Sequence, residues 1–174
     1  MNKQALEDIE ALFKRKGADY KLFTHESCKT SEESTKARAA AGMPDAVGAK
    51  ALLCKLYLRD KEVFATIVLP GIHILDKNAL RKGVPNLRSM RFAAPEEMLE
   101  LAGVAPGCMP PFGPSIFPGI NFLIVAEALK SFPNIAFNVA YFEKSIVMLS
   151  EDYLRAAKPD YVIDCSVLKQ ERAA

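Results

Sequence analysis

Lys50 is the residue whose position most directly suggests chemistry. It lies near the start of the apolar segment AKALLCKLYL, residues 49–58, which predicts a β-strand. Because side chains alternate between the faces of a strand, Lys50 shares its face with apolar residues only, namely Leu52, Cys54, Leu56 and Leu58. An ammonium group on such a face is costly to bury unless it meets an anion or loses its proton. Two interpretations stay open: an anion-binding lysine, or a lysine at the strand start that extends to water.

The segment VAPGCMPPFG, residues 104–113, is the second candidate. Gly107 and Gly113 bracket the pair Pro110 and Pro111, so the backbone is stiff at the prolines and free to turn at the glycines. Such a loop can hold backbone N–H groups towards an oxyanion that develops when a carbonyl carbon is attacked. Composition alone equally allows a rigid surface loop without chemistry.

Other catalytic signatures are missing from the sequence. It contains no GxSxG elbow, no HExxH, no Walker A loop and no GxGxxG after a strand. Its four cysteines are far apart, and together with the two isolated histidines, His25 and His73, they offer no zinc spacing. We therefore expect no metal and no cofactor, and reduced cysteines in a cytoplasmic protein.

The elements that must position these candidates follow from periodicity and from start and stop signals. Gly17, Asp76, Pro95 and Gly103 are the clearest signals, and Thr30 opens a capping box of the form S/T-x-x-E. Helices are predicted over residues 3–16, 30–41, 76–83, 95–102, 126–131 and 150–157. Strands are predicted over residues 20–24, 49–58, 62–70, 87–92, 135–139, 145–149 and 161–165. This order predicts an α+β fold, a single domain over residues 1–174 with a mixed, largely antiparallel sheet flanked by helices.

Bulk composition narrows the classes of partner. The chain has 174 residues and a formal net charge of only +2, which argues against a DNA-coating protein but allows a local contact with tRNA. The first residues, MNKQALEDIEALFKRKG, are charged and amphipathic, so we expect no signal peptide. No run approaches the roughly 18 apolar residues that span a membrane, so no membrane partner is expected.

Several segments become recognisable when they are taken in order. The first is THESCKTSEES (24–34). It is followed by GAKALLCK (48–55), RFAAPEEMLELAGVAPGCMPPFG (91–113), IAFN (135–138), SIVM (145–148) and EDYLR (151–155). Together they resemble the YbaK/ProX family of prolyl-tRNA-synthetase-associated editing domains, and in particular its YeaK-like branch. The resemblance covers roughly residues 5–165, with the expected order and spacing.

The resemblance implies an aminoacyl-tRNA deacylase that removes a wrong small amino acid (Ser, Thr, Ala or Cys) from tRNA, alone or docked on a synthetase. It places the family's essential lysine at Lys50 and its GxxxP substrate-binding loop at Gly107 to Pro111. The loop residues implied to bind substrate are Gly107, Cys108, Met109, Pro110 and Pro111, continued by Phe112 and Gly113. His25 and Asn138 match positions common in the branch, without an assigned chemical step.

Two features qualify the resemblance. Relatives often carry glycine where this chain has Ala140, so a glycine turn after Asn138 is expected to be lost. Cys108 offers a thiol inside the loop, but relatives tolerate other residues there, so we do not expect it to be a nucleophile. The alternatives to a deacylase are a non-catalytic tRNA- or synthetase-binding module of the same fold, and a hydrolase of another small ester or amide.

Basic side chains are candidates to contact the single-stranded acceptor end of tRNA. They form three clusters in the sequence: Lys14, Arg15 and Lys16; Lys77, Arg81 and Lys82; and Arg88 and Arg91. Clusters of this kind at helix ends are usually solvated surface.

Overall fold

A computed structural model of the chain describes residues 1–28, 31–40, 42 and 45–169. The helices are α1 (Lys3–Lys16), α2 (Ser31–Ala40), α3 (Lys77–Gly83), α4 (Pro95–Ala102) and α5 (Ser150–Ala157), with a 3₁₀ helix at Glu127–Ser131. The strands are β1 (Tyr20–Thr24), β2 (Val47–Leu58), β3 (Glu62–Pro70), β4 (His73–Leu75), β5 (Leu87–Phe92), β6 (Phe122–Ala126), β7 (Asn134–Asn138), β8 (Lys144–Leu149), β9 (Tyr161–Ile163) and β10 (Ser166–Leu168). No helix of the described residues is long and apolar enough to cross a membrane.

The strands form one large mixed sheet in the order β1-β8-β7-β2-β3-β6-β9, and β5 adds to β2. The pairs β1–β8, β7–β8, β2–β3 and β2–β5 are antiparallel, whereas β2–β7, β3–β6 and β6–β9 are parallel. The α+β fold with a mixed sheet is therefore confirmed. Strands β4 and β10 form a separate two-stranded sheet.

Strand β2 is where the sheet divides. One edge pairs with β3 along residues 49–57. The other edge pairs in parallel with β7 at Val47 and Gly48, and then with β5 from Cys54 onward. Over residues 49–53 no described strand pairs with this second edge, so β7 and β5 diverge and leave a fork. Lys50 lies at this fork.

Both faces of β2 are covered, although the sequence predicted one apolar face and one mixed face. Ala49 and Leu53 pack in a core beneath α1, α4 and α5. Cys54 and Leu56, which share the face of Lys50, pack in a second core with α3 and β3. On the face that the sequence made mixed, the Nζ atom of Lys55 lies 2.5 Å from Glu62 of β3, which accommodates the charge at the sheet surface.

The local signals in the sequence are confirmed. Gly17 and Gly103 end α1 and α4 with left-handed φ angles of 58° and 63°. The side chain of Asp76 accepts hydrogen bonds from the N–H groups of Asn78 and Ala79, so it caps α3 as predicted. Thr30 of the predicted capping box and Ala41 lie outside the described residues.

Three short strands depart from the sequence prediction. Residues 122–126 form β6 between β3 and β9, and only a 3₁₀ turn follows where a helix was predicted over 126–131. The run FLIVA is almost wholly buried, so it shows neither helical periodicity nor alternation. Strands β4 and β10 are three residues each and form only because they pair with each other. The predicted strand over 161–165 ends at Ile163.

Candidate functional site

A cavity of about 590 Å³ opens beside the fork. Its wall is built by α2, the start of β2, the turn after β3, and the end of β7. Lys50 and Asn138, two residues that the sequence singled out, both line it.

Sheet register explains why these two residues meet. Gly48 on β2 lies opposite Ala136 on β7 in a parallel pair. Side chains two positions further on point to the same face, so Lys50 and Asn138 both face the cavity beyond the last pair. Lys50 is half-buried at the cavity wall rather than fully extended into water.

The cavity carries an excess of positive charge. Its wall includes the cations Lys36, Arg38, Lys50 and Lys169, against the one carboxylate of Asp45. An anion with several charged oxygens would be attracted to such a wall. Lys36, Arg38 and Lys169 could not be recognised as site residues from the sequence. The first two belong to α2, and Lys169 is the last described residue of the chain.

Arg38 is the most deeply placed of these cations. Its side chain is only 7% exposed, and burial lowers the pKa of its guanidinium. Nε donates to the carbonyl of Ala46 (3.2 Å) and Nη2 donates to the hydroxyl of Thr35 (2.8 Å). The guanidinium lies beside Gly48, where an added Cβ atom would meet Nη2 at the ordinary contact distance of 3.5 Å. No carboxylate of the described side chains lies within salt-bridge distance, so the charge remains available to an anion in the cavity.

The loop of residues 104–113 is anchored in the core, which excludes the interpretation as a surface loop. Phe112 is fully buried, and its ring lies 5.8–5.9 Å from the rings of Phe13, Phe137 and Tyr153. The buried hydroxyl of Tyr153 donates to the carbonyl of Pro111 at 2.6 Å. From Cys108 to Gly113 every residue is buried, whereas Ala105, Pro106 and Gly107 are exposed.

Backbone groups are therefore what this loop can offer a ligand. Pro110 and Pro111 have no N–H, and the N–H of Cys108 donates to the carbonyl of Ala105 (3.3 Å). Within Gly107–Pro111 this leaves the N–H groups of Gly107 and Met109, which have no hydrogen-bond partner among the described residues. Gly107 has a φ of 94°, a conformation that favours glycine.

The thiol of Cys108 is placed unfavourably for nucleophilic attack. Its side chain is 2% exposed, and burial raises the pKa of the thiol. The sulfur donates to the carbonyl of Ala105 at 3.4 Å. Because the thiolate is the nucleophilic form, a buried thiol with a raised pKa is a poor nucleophile.

A hydrogen-bonded chain connects three of the residues that the sequence identified. Asn138 donates through Nδ2 to the carbonyl of Gly107 (3.2 Å), and its Oδ1 accepts from the hydroxyl of Ser145 (3.0 Å). Ser145 Oγ lies 2.8 Å from Nε2 of His25. Ser145 could not be recognised from the sequence, because it resembles an ordinary strand residue until β7 and β8 are paired.

The remaining histidine, His73, does not belong to the site. Its Nδ1 atom lies 2.9 Å from the hydroxyl of Ser166, within the β4–β10 pair. It does not line the cavity.

The turn after Asn138 is retained without glycine, contrary to expectation. Ala140 has a φ of 65°, so it adopts the left-handed conformation that its relatives' glycine would favour. A non-glycine residue pays a conformational cost there. Its carbonyl accepts from the N–H of Asn2 at 3.3 Å.

Comparisons with known proteins agree with this geometry. The family model described as "Aminoacyl-tRNA editing domain" matches residues 25–156, a range that includes every site residue described above except Lys169. The multifunctional Ser/Thr-tRNA deacylase ProXp-y of Escherichia coli K12 is 33% identical over 153 residues, which are 87% of this chain and 87% of that protein. The same enzyme of Escherichia coli O157:H7 has the same identity and coverage.

Two solved structures share the fold. The hypothetical protein APE2540 matches with a TM-score of 0.72 at 22% identity, over 92% of this chain and 99% of that one. A proposed trans-editing enzyme for prolyl tRNA synthetase matches with a TM-score of 0.70 at 17% identity, over 94% of this chain and 98% of that one.

Replacing Tyr153 with phenylalanine tests how the loop is anchored. Tyr153→Phe leaves the buried Pro111 carbonyl without its donor, which should lower the free energy of unfolding by about 1–3 kcal/mol in urea denaturation. Tyr161→Phe is the matched control, because the described residues include no partner for that hydroxyl. Equal losses in both variants would mean that the Tyr153 hydroxyl does not anchor the loop.

Proposed function

Because the chain belongs to the aminoacyl-tRNA editing domain family, we propose that it is a trans-editing deacylase that hydrolyses the ester between a wrong amino acid and its tRNA. The observation that carries this proposal is one cation-rich cavity whose wall joins Lys50 to the anchored loop through Asn138. The identity to a Ser/Thr-tRNA deacylase makes serine and threonine the first substrates to test, followed by alanine and cysteine.

Few catalytic groups are needed for this reaction. An aminoacyl ester is already activated, so the enzyme must mainly position a water molecule and stabilise the tetrahedral oxyanion. We assign oxyanion stabilisation to the N–H groups of Gly107 and Met109, which the loop leaves without partners among the described residues. The buried side chains on either side keep these donors in place before substrate arrives.

Lys50 is assigned to the acceptor end of the tRNA. Its compact ammonium group can hold the phosphate of the terminal adenosine or orient the ester. Arg38 and Lys36 on the same wall add positive charge for the neighbouring phosphate. In this proposal the ester lies between the cationic wall and the loop, which Asn138 connects.

A hydrolytic site separate from the synthetase's own site is what editing requires. A synthetase discriminates poorly against amino acids that differ by a methylene, which is worth only about 1–3 kcal/mol. A second site that hydrolyses the wrong ester corrects the error after charging.

Loss of Lys50 should abolish turnover without unfolding the protein. We expect Lys50→Ala to lower kcat/KM at least about 100-fold, because charge stabilisation in the site is lost. The measurement is deacylation of tRNAs charged with Ser, Thr, Ala, Cys and Pro. Lys55→Ala is the matched control, since Lys55 lies on the same strand but faces away from the cavity and pairs with Glu62.

The two ways in which this experiment can fail are separable. If the parent protein binds aminoacyl-tRNA but hydrolyses no ester of the panel, the protein is a binding module rather than a deacylase. If the parent is active and Lys50→Ala retains the parent rate, the assignment of Lys50 is wrong while the function stands.

Removal of the Cys108 thiol should leave deacylation at the parent rate. The sulfur is buried and has a raised pKa, so no covalent acyl-enzyme at this side chain is expected. Cys108→Ala is assayed on the same esters, and circular dichroism checks that it is folded. A loss as large as that of Lys50→Ala, in a folded protein, would restore the thiol as a candidate nucleophile.

Salt dependence distinguishes the cavity cations from the basic clusters at helix ends. Lys36→Gln should weaken tRNA binding and reduce the slope of log K against log salt by about 0.7, the value for one phosphate contact with a single strand. Lys82→Gln, on the exposed end of α3, should change neither quantity. If Lys82→Gln changed both quantities and Lys36→Gln changed neither, the acceptor end of the tRNA would bind at the basic cluster at the end of α3 instead of at the cavity.

A further inference from the structure

A relay of side-chain hydrogen bonds runs across the sheet from His25 to the loop. Its three contacts are His25 Nε2 to Ser145 Oγ (2.8 Å), Ser145 Oγ to Asn138 Oδ1 (3.0 Å) and Asn138 Nδ2 to the Gly107 carbonyl (3.2 Å). Ser145 and Asn138 are directly opposite each other on β8 and β7. His25 follows β1, whose Phe23 is the cross-strand partner of Ser145 on the other side. Two neighbouring strands, β7 and β8, therefore contribute one residue each, and the residue directly after β1 contributes the third.

The hydrogen positions in this relay follow from its ends. The Gly107 carbonyl can only accept, so the Asn138 amide must turn Nδ2 towards it and Oδ1 towards Ser145. Ser145 has one hydrogen, which Oδ1 takes, and its oxygen then accepts from Nε2 of His25. Nδ1 of His25 lies 2.6 Å from the carbonyl of Glu26 and 3.4 Å from Sγ of Cys28, so the ring is held at both nitrogens.

Ser145 is the member of the relay that holds the amide from the side opposite Gly107. It is 4% exposed, so bulk water cannot freely replace its hydroxyl. Without that donor, Oδ1 loses its hydrogen bond and the contact with the Gly107 carbonyl is left as the one bond of the relay that holds the Asn138 amide. Rotated by 180°, the amide would direct its oxygen at the Gly107 carbonyl oxygen, which is repulsive.

The position of Gly107 matters because it is the exposed residue from which the buried segment 108–113 begins. Glycine is the residue with the least conformational restriction. Gly107 has a φ of 94° and no side chain that could fix its backbone by packing. The bond to its carbonyl fixes the peptide unit between Gly107 and Cys108. The peptide units that carry the N–H groups of Gly107 and Met109 adjoin it on either side, so fixing this unit restricts how far both can turn.

We propose that Ser145 is a positioning residue, which orients the Asn138 amide and through it holds the backbone of Gly107 for catalysis. This inference rests on the deacylase function proposed above. Ser145 touches neither the cavity nor the reacting ester, so its effect is on the rate of the chemical step rather than on tRNA binding.

The test is steady-state deacylation of the best ester of the panel by Ser145→Ala. A misplaced oxyanion donor should lower kcat about 10- to 100-fold while KM stays within about twofold of the parent value. Ser145→Thr keeps a hydroxyl and should restore most of the lost kcat. Ser166→Ala is the matched control, because Ser166 is also buried on a strand with its hydroxyl 2.9 Å from a histidine, but belongs to the β4–β10 pair.

A double-mutant cycle with Asn138→Ala checks the route of the effect. If Ser145 acts through Asn138, Ser145→Ala should have no further effect on kcat once Asn138 has been replaced. A fall of the same size in both backgrounds would overturn the proposal, as would a parent-like kcat for Ser145→Ala. Should Ser145→Ala fail to fold, Ser145→Cys keeps the volume with a weaker donor and should give the same loss.

Amide NMR of the tRNA-free protein separates this inference from the proposed function. Ser145→Ala should shift the N–H signals of Gly107 and Cys108 and speed their hydrogen exchange, whereas Ser166→Ala should leave them unchanged. Unchanged loop signals in Ser145→Ala would overturn the positioning role even if the parent is an active deacylase. A parent without turnover, together with shifted loop signals, would refute the deacylase and leave the structural relay standing.

Discussion

The division of the β2 edge between two partners is the constraint on which the site depends. A strand inside a sheet normally has both edges occupied, because unpaired backbone groups are costly to bury. In β2 the parallel partner β7 leaves after Gly48 and the antiparallel partner β5 arrives only at Cys54. The two neighbours therefore diverge, and the space between them is where side chains from β2 and β7 can face a cavity instead of a core. Lys50 stands two residues beyond the last pair with β7, where a cation can be half-buried without entering the second core.

The loop of residues 104–113 holds its backbone groups rigidly. Side chains of Cys108, Met109 and Phe112 are buried in the first core, and Tyr153 binds the carbonyl of Pro111. Burial of residues 108–113 leaves Ala105, Pro106 and Gly107 as the exposed part of the loop, and prolines remove N–H groups that would otherwise need partners. Preorganised donors cost no reorganisation when charge develops, so a rigid loop suits oxyanion stabilisation. The same rigidity explains why a motif rich in glycine and proline can be functional without a conspicuous catalytic side chain.

The parts of the fold that local chemistry dictates could be predicted from the sequence. Gly17, Asp76, Pro95 and Gly103 act within a few residues, and each bounds its helix as expected. Strand β6 could not be recognised, because its partners β3 and β9 are distant in sequence and its burial on both faces removes any alternation. The same distinction between local and long-range signals applies to the residues of the site. Lys50 and the loop were visible as anomalies of composition, whereas Ser145 and Arg38 gain their meaning only from the strand pairing and from the packing of α2.

This division affects how substitutions in such a site should be interpreted. Where backbone groups carry the chemistry, the side chains of the motif itself are packing residues, and changing them reports mainly on stability. In the proposed deacylase, the residues expected to control the rate are those that hold the backbone from outside, such as Asn138 at Gly107 and Tyr153 at Pro111. They lie on β7 and α5, some 30 to 45 positions further along the chain, and neither belongs to the motif. Proteins with such a site can therefore carry different residues inside the loop while the loop keeps its position, provided that the residues that contact the loop from outside change together with it.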